Sequence, residues 1–322
     1  MKPKSINALM TYMRDNKKIY IKGSLQKKKL RYIGYFHGYK GYRYCNSPRS
    51  LLAYQNFNEL QAVYDFDMKL KALLYPQIMF LETTLKNYTL EVILNATKSS
   101  SFADIYTSIM NDYTSYPIGS ANYKKSLSKK MNVRNKIYSN ISRDYGKNNI
   151  VHHYYDKDQP VPIWAIFELI SLGEFGNIVS CLNNNIRKDI SLAIGINPAF
   201  DTNGKKIEKI IFTLKDLRNS VAHNNTIFDT RFKTNDIDKG ISNYITSETT
   251  IKDINFCTIV DYVILIAFLM KKLKCNKSDI LSFIKQFEDS CEKLRKLVPM
   301  NIYSKIIYTN TRSKLSLLKT FV

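Results

Sequence analysis

One stretch of the sequence brings together three side chains that could act on a phosphate group. Arg218, Asn219 and His223 stand in the order Arg-Asn-x3-His. Histidine transfers protons near neutral pH, and arginine can hold a phosphate through two parallel hydrogen bonds while it stabilises negative charge. An asparagine beside them can hydrogen-bond the phosphate or hold the histidine in one tautomer. These residue types indicate proton transfer at a phosphate ester.

The residues before this motif predict the helix that would position it. Asn219 and His223 are four residues apart and share a helix face, and the long side chain of Arg218 can reach the same place. Asn224-Asn225 favours a helix end, because asparagine tolerates the left-handed backbone conformation. We predict a helix over Ile207–His223 with His223 at its exposed end. Its buried stripe would consist of Ile207, Ile210, Ile211, Leu214, Leu217 and Val221.

The motif resembles the R-N-x3-H form found in HEPN-type ribonucleases, and its flanks resemble the AbiD/AbiF-like (Abi-like) abortive-infection branch of that superfamily. Three other blocks are similar to this branch and follow the family's order. They are Arg31-Tyr32-Ile33-Gly34-Tyr35-Phe36, Tyr64-Asp65-Phe66-Asp67-Met68-Lys69-Leu70 running on to Leu81-Glu82, and Pro162-Ile163-Trp164 running on to Gly173. The resemblance reaches from about residue 30 to about residue 225 and leaves the C-terminal part without a signature.

Two interpretations without a functional site are alternatives to this resemblance. A second match of the bare pattern runs from Arg31 to His37, in a Tyr/Gly-rich run without a helical stripe, and we interpret it as coincidental. The Arg218 match could itself be a solvated helix end, where a cation is favoured by the helix dipole. The adjacent Asn219, the amphipathic helix and the ordered flanking blocks favour a functional site.

The resemblance implies a bacterial abortive-infection, toxin-type endoribonuclease that needs no metal or cofactor, with Arg218, Asn219 and His223 as catalytic residues. RNA supplies its own nucleophile, the 2′-hydroxyl, so the protein must provide a base, an acid and stabilisation of the charged phosphorus centre. One histidine rarely serves as both acid and base. In HEPN enzymes two motifs face each other across a symmetric dimer, so the resemblance implies a homodimer with a composite site.

An alternative of a different class is an RNA-binding protein with little or no cleavage activity. The resemblance implies that some relatives are held by a small structured noncoding RNA, which could be such a partner. The net charge of +22 and a pI of about 9.6 predict a polyanionic partner and support both alternatives. A membrane surface is less favoured, because no basic amphipathic helix with exposed large apolar residues stands out.

Several features indicate a cytoplasmic protein. The five cysteines are widely spaced without a Cys-x2-Cys pair, which disfavours both a zinc site and a disulfide framework. Residues Met1 to Ser5 lack a signal-peptide core, and the apolar run Phe256–Met270 is short for a membrane span. His152-His153 have no obvious metal-ligating neighbour, so we expect them to pack or to hydrogen-bond.

Two basic segments are candidate RNA-binding surfaces. Residues 1–50 contain thirteen Lys/Arg and a single acid, Asp15, interleaved with aromatic residues. Cations can meet phosphates and rings can stack on unpaired bases, although the rings could equally pack on the core. We single out Lys27, Lys28, Lys29, Arg31, Tyr32 and Tyr35 in the first segment, and Lys124, Lys125, Lys129 and Lys130 in the second.

The fold predicted from few glycines and prolines and from helical stripes is all-α. We expect one elaborated HEPN-like helical domain over residues 1–322, with a basic, aromatic-rich N-terminal segment (1–50) and additional helices and a basic tail at 254–322. Phe57–Leu94 should form one or two helices, because Pro76 allows a kink. Gly173 and Gly176 should break a helix, and Asp229–Asp253 should be a long connector.

Two carboxylates are candidate residues in support of the site. Glu82 lies in an apolar context, where a carboxylate needs a cationic or hydrogen-bonding partner. A structural ion pair is one explanation, and a supporting contact to Arg218 is the other. Glu168 is a second candidate for such a supporting role.

Overall fold

The structure is a computed structural model, and it describes residues 4–322. Over these residues the chain is all-α, as predicted, with three isolated β-bridges and no strand. Met1 to Pro3, at the start of the basic segment, lie outside the described residues. The helices are α1 (Ile6–Lys17), α2 (Gly23–Tyr35), α3 (Phe57–Thr97), α4 (Phe102–Ser108), α5 (Ala121–Asp144), α6 (Asn149–Tyr155), α7 (Ile163–Leu169), α8 (Leu172–Cys181), α9 (Asn184–Ala193), α10 (Lys206–Ala222), α11 (Lys239–Thr249), α12 (Ile259–Lys272), α13 (Lys277–Leu297), α14 (Met300–Ile306) and α15 (Thr311–Phe321). Short 3-10 segments occupy Asp112–Ser115 and Pro198–Phe200.

The chain divides into two compact units, one formed by residues 1–78 and 216–322 and the other by residues 79–215. In the first unit, α12 is the central element, and every residue from Ile259 to Met270 is buried. It packs against α13 and α15. The apolar run that is too short for a membrane span is therefore a buried helix, as predicted.

The second unit is organised around α5, which packs against α7 and α8. Arg187 is almost fully buried and pairs with Asp112, with 2.7 Å between Nη1 and Oδ1. A buried charge requires such a partner, and here the ion pair joins α9 to the Asp112–Ser115 turn. The single domain expected over residues 1–322 stays a prediction. Among residues 4–322, no helix is both long and apolar enough to cross a membrane.

The predicted break at the two glycines is wrong, because Gly173 and Gly176 both lie inside α8. The reason is close packing. A Cβ atom on Gly176 would lie 3.1 Å from the Phe212 ring, and one on Gly173 would lie 3.2 Å from Cδ of Lys215. Close packing of α8 against α10 therefore favours glycine at these positions, and the capping box of Ser171 with Glu174 stabilises the start of the helix.

Two other segments are more helical than their sequence indicates. Residues 31–37, interpreted as a run without a helical stripe, lie in α2 and in the following π-helical turn Phe36–Lys40. Gly34, with φ of 67°, interrupts the regular helix. The predicted connector at 229–253 contains α11.

α3 continues through Pro76 as one helix of 41 residues, so the predicted kink or break does not end it. A proline leaves the carbonyl four residues earlier without its donor, but both Pro76 and Ala72 are exposed to solvent. The opposite face is buried through Leu70, Leu74 and Ile78, and this packing favours the continuous helix.

Candidate functional site

The helix that carries the motif forms as predicted, and its apolar stripe is buried. α10 covers Lys206–Ala222, one residue off the predicted bounds at each end. Five of the six stripe residues are at most 1% exposed, and Val221 is 9% exposed. The polar residues of the motif are consequently displayed on the remaining face.

The end of α10 is closed by a Schellman motif, which fixes the backbone at His223. Asn224 adopts the left-handed conformation, with φ of 53°. The Asn224 N–H donates to the Val221 carbonyl at 3.2 Å, and the Asn225 N–H donates to the Ser220 carbonyl at 2.9 Å. This is the pattern that satisfies the last carbonyls of a helix. The helix end predicted from Asn224-Asn225 is confirmed.

Two of the three motif side chains, Arg218 and Asn219, are in contact at this helix end. Nη1 of Arg218 donates to Oδ1 of Asn219 at 3.4 Å. Arg218 and Asn219 are partly buried, whereas His223 is exposed, as predicted. The His223 N–H donates to the Asn219 carbonyl at 2.9 Å, so both residues stay in helical register. An imidazole that is open to solvent and a guanidinium one turn away are together able to receive an anionic substrate.

A buried ion pair on α3 holds the loop that follows the motif. Lys71 and Asp67 are 6% and 0% exposed, and Nζ of Lys71 lies 2.8 Å from Oδ2 of Asp67. The same Nζ donates to Oδ1 of Asn224 at 2.8 Å. Oδ1 of Asp67 accepts the N–H groups of Ile227 and Phe228 at 2.7 and 2.6 Å. This one pair therefore anchors the chain on both sides of Asn225.

The sequence contains a signal for this anchor, although the sequence analysis above did not predict it. Asp67 and Lys71 are four residues apart, and Phe66 and Leu70 beside them are apolar. A carboxylate and a lysine with this spacing on a buried face indicate an internal ion pair. They also lie in one of the blocks that resemble the abortive-infection branch. What the sequence cannot supply is their long-range partner, Asn224.

A second set of contacts fixes the loop further along. Nε of Arg231 lies 2.7 Å from Oδ1 of Asp229, and its Nη2 donates to the carbonyls of Gly41 and Tyr44 at 2.9 and 3.2 Å. The other Asp229 oxygen accepts the Asn46 N–H at 2.7 Å. Burial raises the pKa of Asp229, although Arg231 opposes this shift. The loop is thereby tied to residues 41–46.

His37 lies in the same unit, next to the anchor. Its ring packs against Tyr42 and Tyr64, and the Tyr42 hydroxyl donates to Oδ2 of Asp67 at 2.8 Å. Nδ1 of His37 is buried without a hydrogen-bond partner among residues 4–322. Burial lowers the pKa of His37, and the positive charge of Lys71 lowers it further. The histidine of the match interpreted as coincidental thus lies close enough to the anchor for both of its charges to act on the pKa, Lys71 lowering it and Asp67 raising it.

The two candidate supporting carboxylates both lie in the unit of residues 79–215. Glu82 is buried and forms an ion pair with Lys86, with 3.2 Å between Oε1 and Nζ. The structural ion pair that its apolar context indicated is therefore present. Glu168 is exposed on α7.

The first candidate RNA-binding segment divides into exposed and buried aromatic residues. Tyr32 on α2 is 71% exposed, and Nζ of Lys28 lies 5.7 Å from the centre of its ring. Tyr39 and Tyr42 instead pack in the core. Tyr35 is partly buried, and burial together with the adjacent Tyr12 raises its pKa to about 12. Lys28 and Arg31 are exposed, and Lys27 and Lys29 are partly exposed.

The second candidate segment forms one face of α5, with one correction. Lys124 and Lys125 are exposed, and Lys129 is partly exposed and pairs with Glu208 at 3.5 Å. Lys130 is buried, with its Nζ 4.3 Å from the centre of the Tyr106 ring. Burial lowers the pKa of Lys130. We therefore remove Lys130 from the candidate RNA-binding residues, because its ammonium contacts rings of the protein.

The remaining histidine pair makes packing and hydrogen-bonding contacts, and the cysteines form no disulfide within residues 4–322. Nε2 of His152 accepts the Gly146 N–H at 2.7 Å, and His153 packs against Tyr154, in line with the predicted packing and hydrogen bonding. All five cysteines are free thiols. In the part of the chain that the structure describes, no group of three or more His, Cys, Asp or Glu side chains is arranged to hold a metal ion.

Comparison with known proteins identifies the family. A family model described as Abi-like protein matches residues 28–229. Since this span is more than half of the 322 residues, the chain belongs to the Abi-like protein family, as its sequence blocks indicated. The matched span includes both the motif and the Asp67–Lys71 anchor. No curated protein and no solved structure matches the chain.

Proposed function

We propose that this Abi-like protein is a metal-independent endoribonuclease of abortive infection and that it acts through Arg218, Asn219 and His223. The observation that carries the proposal is the exposed His223 on a rigidly capped helix end, with Arg218 and Asn219 in contact one turn before it. The helix end is already capped through Asn224 and Asn225, so capping does not account for the three side chains. Membership in the Abi-like family supports the abortive-infection role.

The chemistry assigns each of the three side chains a task. A base removes the proton from the RNA 2′-hydroxyl, whose oxygen attacks the neighbouring phosphorus. The bond from phosphorus to the 5′-oxygen then breaks, and an acid protonates that oxygen. His223 carries the proton transfer. Arg218 binds the non-bridging oxygens and stabilises their growing charge, and Asn219 orients the phosphate or the imidazole.

The two proton transfers require two groups, so a second copy of the chain completes the site. We propose a symmetric homodimer in which one His223 acts as base and the other as acid. The exposure of His223 supports this arrangement, because a buried imidazole could not face a second chain. The products would be a 2′,3′-cyclic phosphate, or its hydrolysed form, and a 5′-hydroxyl.

The charge of the chain supports a second candidate function, RNA binding with little cleavage. The net charge of +22 and the exposed cations of α2 and α5 favour a polyanion whether or not His223 is catalytic. A structured noncoding RNA is the proposed partner in this case. In the cell both functions could then coexist, with the bound RNA restraining the nuclease.

The decisive experiment begins with the nucleic acid that copurifies with the wild-type protein. After its removal, wild type and His223→Ala are incubated with total bacterial RNA and with the copurified RNA, with and without EDTA. We expect cuts that persist in EDTA, carry 2′,3′-cyclic ends and disappear in His223→Ala. Cleavage that requires an added divalent metal would contradict the proposed chemistry. RNA binding without any cleavage by wild type would favour the second candidate.

A further inference from the structure

Helix α2 exposes large apolar side chains that no other part of residues 4–322 covers. Leu25 and Tyr32 are 66% and 71% exposed, and Phe36, in the turn after the helix, is 56% exposed. Leu25 and Tyr32 are seven residues apart and therefore lie on one face of the helix. Another face packs on the unit through Leu30, which is fully buried. Besides its core side, α2 thus presents a second set of apolar side chains to water.

The exposed face of α2 is also basic. Lys28 and Lys29 lie between Leu25 and Tyr32 at helical spacing and share their face. Nζ of Lys28 lies 5.7 Å from the centre of the Tyr32 ring, so cation and ring are neighbours. α2 contains no acidic residue, and none of its four cations forms an ion pair within residues 4–322. These charges are therefore available to a partner.

The combination of side chains fits the surface of an anionic bilayer better than it fits RNA. Lipid phosphates attract lysine and arginine, and the boundary between headgroups and acyl chains removes leucine and aromatic side chains from water. RNA would also attract the cations, and a base could stack on Tyr32. An unpaired base gives the aliphatic Leu25 no comparable site. Leu25 is thus the residue that distinguishes the two partners.

The sequence does not reveal this face of α2. A membrane surface was less favoured there because no basic helix with exposed large apolar residues stood out. Apolar residues occur on two sides of α2, with Leu30 in the core and Leu25 and Tyr32 in water, so no single stripe separates them from the lysines. Burial in the folded chain shows which of them remain exposed.

We propose that α2 binds anionic lipid bilayers and lies in the plane of the interface. Leu25, Tyr32 and Phe36 enter the boundary between headgroups and acyl chains, and the four cations contact lipid phosphates. The surface contains none of the three motif residues, so the inference is independent of the proposed ribonuclease chemistry and goes beyond it. It assigns this Abi-like protein a place at a membrane surface.

The test compares variants of unchanged net charge, because a chain with a net charge of +22 attracts any polyanion. Protein freed of copurified nucleic acid is sedimented with vesicles of equal parts phosphatidylglycerol and phosphatidylcholine. Leu25→Gln/Tyr32→Gln should weaken binding by at least about tenfold. Wild type should bind vesicles of phosphatidylcholine alone at least about tenfold more weakly than the mixed vesicles.

The matched control is Met131→Gln/Tyr138→Gln on α5, which is also a basic helix. Met131 and Tyr138 are 42% and 50% exposed and seven residues apart, as Leu25 and Tyr32 are. Their helical neighbours on that face are Ser128 and Asn135 instead of cations. This variant should change vesicle affinity by less than about twofold.

A tryptophan reporter measures whether α2 enters the bilayer. Trp164→Phe removes the only tryptophan, and Leu25→Trp then places one on α2. Its emission should shift to the blue on vesicle binding and should be quenched by brominated acyl chains. Tyr138→Trp in the same background should show neither effect.

The inference is overturned if the emission of Leu25→Trp stays unchanged in the bound protein, if both double variants lose equal affinity, or if wild type binds both kinds of vesicle equally. It is overturned in favour of RNA if Leu25→Gln/Tyr32→Gln weakens binding of labelled single-stranded RNA and leaves vesicle binding unchanged. RNA cleavage and its loss in His223→Ala are measured without vesicles, so these outcomes leave the proposed function standing.

Discussion

His223 is the exposed member of the motif, and its side chain carries no packing that the fold requires. We expect His223→Ala to reduce RNA cleavage by on the order of 10²–10⁴-fold, because it removes a proton-transfer group. The free energy of unfolding should fall by only about 1 kcal/mol or less. Arg218→Ala should impair both substrate binding and the chemical step, and Asn219→Ala should have an intermediate effect. Single-turnover cleavage and thermal unfolding measure the two quantities.

The matched control is His153→Ala, which removes an exposed histidine from α6. It should leave the cleavage rate unchanged. If a folded His223→Ala protein cuts RNA at the wild-type rate, the ribonuclease site does not include His223.

Lys71 should matter for both stability and activity, although it lies outside the motif. Lys71→Met breaks a buried ion pair and leaves the Asp67 carboxylate with the Tyr42 hydroxyl and two backbone donors. We expect a loss of on the order of 3 kcal/mol in the free energy of unfolding. Asn224 also loses its ammonium partner, so the helix end at His223 is held less firmly. Cleavage measured well below the unfolding temperature should fall by about tenfold.

Lys69→Met serves as the control, because Lys69 is exposed on the same helix. It should change neither quantity. A histidine NMR titration provides a separate measurement. Lys71 lowers the pKa of His37, so this pKa should rise in Lys71→Met. If stability falls while the cleavage rate of the folded variant and the pKa of His37 stay unchanged, Lys71 has no part in the site.

The sequence predicts the motif residues but not what holds them. Arg218, Asn219 and His223 follow from local spacing, because a helix stripe fixes which residues share a face. The bond from Lys71 to Asn224 joins residues 153 positions apart. No periodicity encodes such a pair, since it depends on how two helices meet. For the same reason the coupling of His37 to Lys71 is visible only in the folded chain.

At the scale of elements, α2 presents the strongest unbalanced charge near the N-terminus. It carries Lys27, Lys28, Lys29 and Arg31 and no acidic residue. Replacing these four residues with Ala should weaken RNA binding across many sequences and reduce its dependence on salt. Anisotropy titrations of labelled single-stranded RNA at several salt concentrations measure both effects.

The control removes four cations from α13, with Lys277, Lys285, Lys293 and Lys296 changed to Ala. The net charge falls by the same amount, but on α13 these lysines are balanced by Asp279, Glu288, Asp289 and Glu292. This variant should bind RNA nearly as wild type does. Affinity that stays flat from low to moderate salt, or an equal loss in both variants, would refute a specific role of α2.

The sequence largely predicts which segments are helical. Where a helix continues or ends depends on how it packs. The stripe of α10 and the apolar run of α12 identify these elements because burial is periodic or continuous along them. Gly176 misleads, because its low helix propensity is a local preference, whereas its place in α8 follows from close packing: a Cβ atom there would lie 3.1 Å from the Phe212 ring. Pro76 misleads similarly, because Pro76 and Ala72 lie on the exposed side of α3 while the other side is buried.

For the whole molecule, one motif per chain predicts a dimer. Light scattering at working concentration should give about twice the chain mass of 37.5 kDa. Mixing His223→Ala with wild type supplies a sharper measurement. A mixed dimer contains only one His223, so it lacks either the acid or the base of the proposed mechanism. Cleavage per wild-type chain should therefore fall as the inactive variant is added in excess.

A strict monomer that still cleaves RNA would exclude the composite site. His37 would then be the first residue to examine as the missing acid or base, because it is the other histidine near the Asp67–Lys71 anchor. His37→Ala should in that case abolish cleavage, whereas a dimeric enzyme should retain it.

The unit that holds the motif is discontinuous, and this determines when a ribosome can complete it. Asp67 and Lys71 leave the exit tunnel long before Asn224, Ile227 and Phe228, since residues 79–215 are translated in between. At roughly 5–20 residues per second, the two halves are separated by on the order of 10 s of synthesis. A nascent chain that stalls in that interval has no motif and an anchor without its partners. Under the proposed ribonuclease function, the nascent chain therefore gains its complete site only after residues 216–228 have left the ribosome.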